Sequence, residues 1–512
     1  MEILSFVLYF LIVLGIGIFF FVKSKSADEK DYFLGSRAMG PWVTAMSAQA
    51  SDMSGWLLMG LPAGMLAVGF GKAWIGIGLA LGTAANWIFC AKRLRCFSRE
   101  AKDSITLPQY LSNRFLSKGK ALQVFCAVIF LVFFTFYVAS AFVAGTKVFT
   151  ALFEELNVIA ALGIFSVIVI IYTFLGGFKA VCWTDFFQGL MMLIALLAVP
   201  IVIVLSENAL LDSSLLGKEI AGNQFVANFL NASPTDILSG LGWGLGYFGM
   251  PHILVRFMSI KKPSMIKKSA TVAIVWVVLS LGAAIVLAYL GRMLVVDGVN
   301  VGEELLIAGK GDHIFISASR LLFPGIIAGF LLAAIIAASM STADSQLLVA
   351  SSSFTSDIYK PIIRKKASNK EILWVGRIVV LIIAVVAFFI ALSVLLSNSD
   401  SNPIMSLVDM AWAGFGGSFG PVVLLSLFWK RLTYKGACAG VVVGAVVDVA
   451  WMMAHKYATA GTTLYSVTEL YEIIPAFVCG LIAAVVVSLI DKKPSEEVEA
   501  LFDNAVAESK AE

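Results

Sequence analysis

The run Ala50-Ser51-Asp52-Met53-Ser54-Gly55 lies in the middle of an otherwise apolar segment that extends from Gly40 to Pro62. A carboxylate at mid-bilayer costs roughly 2.5–3.5 kcal/mol on insertion scales, so it normally faces a partner or a watery cavity. Gly55 and Gly60 weaken a helix, and Ser51 and Ser54 offer hydrogen bonds that compete with the backbone ladder. A helix broken at membrane depth frees carbonyl oxygens that can line an ion or solute site. The plainer alternative is a buried aspartate bonded to a neighbouring helix.

A second irregular stretch runs from Ser239 to His252 and packs five glycines and Pro251 into one apolar segment. Trp243, Tyr247 and Pro251 recur every four residues, which on an α-helix gives them one face. Aromatic rings on such a face can cover an apolar solute; glycine packing with interfacial aromatics is the competing reading. A third segment, Ala337 to Gln346, sets Ala338, Ser341, Thr342 and Ser345 at i, i+3, i+4 and i+7. That stripe of hydroxyl and carbonyl oxygen suits a hard monovalent cation, although Ser/Thr stripes commonly serve only to pack helices. Asp344 and Asp185 fall near the inner side of their segments.

The elements that must position these residues are membrane spans. The 512-residue chain is 60% hydrophobic and 14% charged, with a mean hydropathy of +0.92. Soluble domains are about 45–50% apolar and roughly 25% charged. A window of about nineteen residues predicts about thirteen spans, near 3–22, 41–66, 73–91, 121–150, 158–176, 183–205, 235–257, 270–291, 322–352, 372–396, 404–428, 434–454 and 473–490. The segment Ile3–Val22 follows Glu2, with Lys23 and Lys25 after it, and so reads as a retained first span instead of a signal peptide.

Lys and Arg cluster in alternate loops: Lys23, Lys25, Lys30 and Arg37; Lys92 through Lys120, including Lys118; Arg256 with Lys261, Lys262, Lys267 and Lys268; Lys360 with Arg364; Lys430 with Lys435; and Lys492 with Lys493. The intervening loops are acidic or nearly neutral. The bias predicts an N-terminus outside and a cytoplasmic C-terminal tail, a loose or short helical extension. The net charge of +4 points to no nucleic-acid partner. The six cysteines show no C-x-x-C spacing, the three histidines are far apart, and no phosphate-binding G-x-x-x-x-G-K-[ST] occurs. These absences argue against a disulfide framework, a metal cluster, an enzyme and ATP-driven transport.

The two irregular spans, the second and the seventh, stand five positions apart in the series. An odd offset reverses direction, so spans 2–6 and 7–11 form an inverted pair, and paired broken spans of this kind point to a midplane transport site.

The stretches Gly35–Trp42, Ala48–Gly60, Gly244–His252 and Met340–Gln346 resemble the solute:sodium symporter family, over nearly the whole chain through about residue 490. The resemblance implies an all-α integral membrane protein with a 5+5 inverted-repeat, leucine-transporter-type core and flanking helices. Its parts would be a first helix and loop (1–40), two five-helix repeats (41–206 and 207–428), two C-terminal helices (429–490) and a tail (491–512). It implies sodium-coupled uptake of L-proline across the plasma membrane by alternating access, with sodium as the coupling ion and no obligatory protein partner. By the same resemblance, sodium would be held by carbonyls of Ala50, Met53 and Ala338 and hydroxyls of Ser341 and Thr342. Ser54, Gly55, Trp56, Tyr137, Trp243, Tyr247 and Pro251 would form the proline pocket. Asp52 would organise the unwound turn, and Arg37, Ser47 and Asp185 would serve coupling, gating or ion passage. Met250 departs from the family pattern, which carries Gln there. The alternatives are another solute, proton coupling through Asp52, Asp185 or Asp344, a membrane enzyme or sensor on the same scaffold, and a channel.

Overall fold

The computed structural model describes residues 2–23, 28–117, 119–207, 209–397 and 402–511. Lys25 and Lys118 of the basic clusters lie outside them. Among the described residues, nine helices are long and apolar enough to cross a membrane: 70–100, 121–152, 178–205, 263–293, 325–363, 369–397, 403–428, 434–457 and 473–490. Ile378, Leu381, Ile382 and Phe389 stand exposed along one of them. Such a row of large apolar side chains is tolerated where hydrocarbon surrounds the helix.

The other four expected spans differ in form. The first is a helix over Glu2–Lys23, and the fifth is the helix Val158–Leu175, started by the Asn157 side chain accepting from the Ala160 N–H at 2.8 Å. The second and seventh are broken. The helix Pro41–Asp52 ends at Met53, and after a short gap a five-residue π-turn, Trp56–Gly60, leads into Leu61–Val68. The seventh divides into a helix Pro234–Gly242, a 3₁₀ segment Trp243–Phe248 and a helix Pro251–Ser259. Pro251 lacks an N–H and stands at the start of the last piece, where none is needed.

A region read as a loop is helical, and the tail, expected as a loose or short helical extension, takes the helical form. Lys92, Arg93, Arg95 and Arg99 lie on the helix Ala91–Glu100, which continues the third span. The tail forms the helix Glu496–Ala511, docked on that extension. Phe502 meets Phe97 edge-on at 5.2 Å, the buried Arg114 guanidinium lies 5.0 Å from the Phe502 ring, and Arg99 pairs with Glu508 at 3.1 Å.

The buried centre is the helix Gly325–Ser353, which packs against 121–152, 178–205, Pro41–Asp52 and the first helix. The helix 70–85 lies along the broken seventh span at backbone contact. A Cβ on Gly78 would sit 2.8 Å from Leu241 Cα, and one on Gly240 would sit 2.8 Å from Ile75 N. Only glycine permits that approach. A small antiparallel sheet, Ala209–Leu211 with Leu294–Val296 and Val299–Asn300, joins the loops at one end.

Candidate functional site

The break in the second span leaves the last carbonyls of Pro41–Asp52 without the helical partners that a continuous helix would supply. The Ala50 carbonyl receives the Ser341 hydroxyl at 2.8 Å and lies 3.5 Å from Thr342 Oγ1. Ser341 Oγ is also 3.1 Å from the Ala338 carbonyl. Four of the five positions expected to hold sodium therefore converge, all fully buried. Met53, the fifth, caps the helix with a non-helical backbone. The donor set is neutral oxygen only, and each hydroxyl keeps lone pairs for a cation.

The hydroxyl stripe on 325–353 divides between two partners. Ser341 and Thr342 face Ala50, whereas Ser345, one turn further, faces a buried ion pair. There Asp185 Oδ2 accepts from Ser47 Oγ at 2.6 Å and from Arg256 Nη2 at 3.2 Å. Arg256 also donates to Ser47 Oγ at 3.1 Å, Ser345 Oγ at 2.5 Å and the His252 carbonyl at 2.7 Å. This corrects the placing of Arg256 in a basic loop. It is 1% exposed, and it ends its helix with the guanidinium turned back to the carboxylate of 178–205. Asp344, beside Ser345, is buried as well.

Asp52 joins the two broken spans. Its Oδ2 accepts from the Tyr247 hydroxyl at 2.6 Å, while its backbone carbonyl accepts from Tyr137 Oη at 3.0 Å and Trp56 Nε1 at 3.1 Å. Oδ1 is buried without a hydrogen-bond partner among the described residues. Trp56, Tyr137, Trp243 and Tyr247 thus gather around the break, with Trp56 and Trp243 rings 6.4 Å apart.

Trp243 and Tyr247 do not form the single stripe expected of an α-helix. The segment winds as 3₁₀, so residues four apart turn by about 120° instead of about 40°. They straddle Trp412 instead. That ring stacks on Trp243 at 6.0 Å and meets Tyr247 edge-on at 5.1 Å, and its Nε1 donates to the Trp243 carbonyl at 2.8 Å. Tyr471 also stacks on Trp243, at 5.1 Å. Trp412, Tyr471 and Arg256 are the residues that sequence reasoning missed. Only Arg256 left a signal, as a lone charge four residues after His252 within an apolar run.

Ser54 and Gly55 serve the break itself. The Ser54 carbonyl accepts from the Leu57 N–H at 3.0 Å. A Cβ on Gly55 would lie 2.5 Å from Ala144 Cβ and 3.0 Å from Ser339 Oγ. Gly55→Ala is therefore expected to lose roughly 1–3 kcal/mol through overpacking, read as a lower melting temperature and lower abundance. Wild-type stability in that variant would show that the helices part there at no cost. Pro251 opens the helix whose next residue, His252, meets the Tyr137 ring at 6.2 Å.

Arg37 lies apart from this centre, in a left-handed turn over Gly35–Arg37 where φ is +54° at Ser36 and +52° at Arg37. Such backbone costs about 1–3 kcal/mol per non-glycine residue and needs support. The guanidinium supplies it by donating to Asp103 Oδ1 at 2.8 Å, Ser98 Oγ at 3.1 Å and the carbonyls of Ser104 and Met258 at 2.8 and 2.5 Å. Burial lowers the Arg37 pKa to about 10, with neighbouring Arg95 adding to that and Asp103 opposing it. Burial raises the Asp103 carboxyl, but Lys30 and Arg37 outweigh it and hold the acid below its usual range. A depressed acid contributes stability above its unfolded pKa, near pH 4, and loses it as pH falls through the folded value. Asp103 is 43% exposed, so the effect is small. The melting temperature should fall below about pH 4, less steeply in Asp103→Asn; equal slopes would remove Asp103 from the linkage.

Residues 32–444 match the sodium:solute symporter family. The chain is 43% identical over 485 residues to the high-affinity proline transporter PutP of Bacillus subtilis, covering 95% of this chain and 98% of that one. It is 42% identical over 507 residues to the sodium/proline symporter of Haemophilus influenzae, covering 98% and 97%. With the sodium/proline symporter of Escherichia coli it shares 40% identity over 511 residues, covering 98% and 96%. Among solved structures, a Na+-coupled sialic acid symporter in a substrate-bound outward-open state aligns with a TM-score of 0.74 at 20% identity, covering 97% and 99%. The nucleobase-cation-symport-1 family transporter MHP1 aligns with a TM-score of 0.52 at 15% identity, covering 92% and 98%. These two likenesses concern the fold.

The chain is a multi-pass helical membrane transporter, not an enzyme. It belongs to the sodium:solute symporter family.

Proposed function

We propose that the protein takes up L-proline together with sodium across the plasma membrane by alternating access. The observation that carries the reading is the meeting of the Ala50 carbonyl with the Ser341 and Thr342 hydroxyls at the break. It is supported by relatives of 40–43% identity that bear proline-transporter names over nearly their whole length.

In this reading the architecture is thirteen spans around a 5+5 inverted repeat. The halves are 41–206 and 207–428, preceded by 1–40 and followed by two helices in 429–490 and a cytoplasmic tail, 491–512. The N-terminus lies outside. The broken spans, five spans apart, support this division. Sodium binds Ala50, Met53, Ala338, Ser341 and Thr342. Proline binds against Ser54, Gly55, Trp56, Tyr137, Trp243, Tyr247 and Pro251, with Trp412 closing the aromatic wall. Asp52, through the Tyr247 hydroxyl, makes the ion-binding turn and the aromatic segment one unit. Arg37, Ser47 and Asp185 hold the contacts that must rearrange for inward release.

Coupling follows from linkage. Sodium fastens the broken second span to 325–353, which sets the Asp52–Tyr247 contact and the proline walls. Each ligand then raises the affinity for the other by the same factor. A potential of 100 mV, inside negative, adds about 2.3 kcal/mol per sodium entering.

Proteoliposomes with separately imposed sodium and proton gradients test the proposal. Labelled proline should accumulate with the sodium gradient alone. Accumulation driven only by the proton gradient, or none with either, would reject it.

A further inference from the structure

Between Asp236 and Asp297 the chain carries no acidic residue, yet Lys261, Lys262, Lys267 and Lys268 crowd into one short stretch, all exposed. They flank the 3₁₀ turn Pro263–Met265, which opens the helix Ile266–Met293, and neither the turn nor the helix has a side-chain cap. The N-terminal end of a helix dipole favours anions and disfavours cations in its first turn. Four cations at an uncapped helix start are therefore unfavourable within the chain alone. In the other basic clusters Lys30, Lys360, Lys430 and Lys435 each meet a carboxylate of the chain. Among the described residues, none of the four lysines at 261–268 has an ion-pair partner within 4.0 Å.

Trp42 lies beside this patch and is 52% exposed, with Lys268 Nζ 5.4 Å from its ring centre. An exposed tryptophan next to lysines at the end of a span marks the level of the headgroups. On the buried side, the Arg95 guanidinium donates to the carbonyls of Ile260 at 2.7 Å and Lys261 at 3.4 Å. Its Nη1 is buried with no hydrogen-bond partner among the described residues, so Arg95 adds a fifth positive charge without a carboxylate. The stretch is also a joint. The Met39 N–H donates to the Ser259 carbonyl at 3.2 Å, and the Lys261 N–H donates to the Met39 carbonyl at 3.0 Å. Ser269 Oγ donates to the Pro41 carbonyl at 2.9 Å. The segment entering the second span is thus tied to the segment leaving the seventh.

We propose that Lys261, Lys262, Lys267 and Lys268, with Trp42, bind the headgroup of an anionic phospholipid. Its phosphodiester lies over the uncapped turn, where it answers both the lysines and the free N–H groups. Trp42 gives the glycerol backbone and the first methylenes an apolar surface, which a free phosphate ion does not use. The bound lipid spans the joint, with Trp42 on one side and the lysines on the other. The inference rests on the proposed function only in naming the leaflet, which the orientation with the N-terminus outside makes the cytoplasmic one.

The test is native mass spectrometry of the full chain in detergent, titrated with phosphatidylglycerol and separately with phosphatidylcholine, with neither sodium nor proline present. The first phosphatidylglycerol should bind at least tenfold more tightly than phosphatidylcholine. Each lysine beside an anionic headgroup accounts for about fivefold in affinity. Replacing Lys261, Lys262, Lys267 and Lys268 together by Gln should therefore weaken that first lipid at least twentyfold. In lipid-free detergent the same variant should melt no lower than the wild type, because crowded cations are removed from the helix start. Replacing Lys365, Lys366, Lys492 and Lys493 by Gln removes as much exposed charge elsewhere and should change the binding less than threefold. No preference for phosphatidylglycerol in the wild type, or equal weakening in both variants, would overturn the site and leave the lysines a topology signal only. Displacement of the lipid by an equal concentration of inorganic phosphate would overturn the lipid assignment in favour of a free-anion site. Failure of sodium-driven proline uptake would reject the proposed function and leave each of these readings unchanged.

Discussion

Ser341→Ala and Thr342→Ala are each expected to weaken apparent sodium affinity by roughly 10–150-fold, with protein abundance close to wild type. An interaction with a charged group contributes about 1.5–3 kcal/mol, and every 1.4 kcal/mol is tenfold. Both hydroxyls are fully buried at the Ala50 carbonyl, so water cannot replace the lost oxygen cheaply. Apparent proline affinity at fixed sodium should fall with it, because the coupling is reciprocal, and should recover at high sodium. The measurement is initial proline uptake against sodium concentration in vesicles. Unchanged sodium dependence in both variants would remove the 325–353 hydroxyls from the ion site and leave their bond to Ala50 a packing contact.

Arg256→Met carries the largest expected loss of stability, about 3–5 kcal/mol. Removing one member of a buried pair strands the other charge, and Asp185 is fully buried with Arg256 as its ion-pair partner. The hydroxyls of Ser47 and Ser345 remain but bring no compensating charge. Asp185→Asn in the Arg256→Met background should restore most of the melting temperature in detergent, since neutral groups of similar shape then fill the site. Failure of that rescue would mean that Arg256 acts mainly through its bonds to the His252 carbonyl and Ser345. Recovery of stability without recovery of uptake is the outcome expected of a pair that also works in the transport cycle.

Much of the centre was legible because its cause is local. Glycines, serines and Asp52 within one turn interrupt a helix wherever it sits, and five glycines with Pro251 do the same in the seventh span. The hydroxyl spacing on 325–353 was equally readable, since a continuous helix preserves it. What escaped depends on distant chain segments. Arg256 looked like a member of a basic loop, because nothing near it in the chain shows that Asp185, 71 residues away, lies within reach. Trp412 and Tyr471 look in sequence like ordinary packing aromatics; only the fold stacks both on Trp243. The common face proposed for Trp243 and Tyr247 failed for a different reason. The glycines that break the span also change its winding, so α-helical periodicity ceased to apply where the break was expected.

The docked C-terminal helix has a practical consequence for watching the transporter work. Because Phe502, Glu508 and the Arg114 contact fasten it to the helix Ala91–Glu100 that extends the third span, it is carried along when that extension moves. Glu497 is exposed on that helix, away from those contacts, so a cysteine placed there by Glu497→Cys offers a thiol for a maleimide dye. A dye there, paired with one on a helix that stays still, turns each turnover into a change of distance that can be followed on a single molecule, with no label placed inside the bilayer.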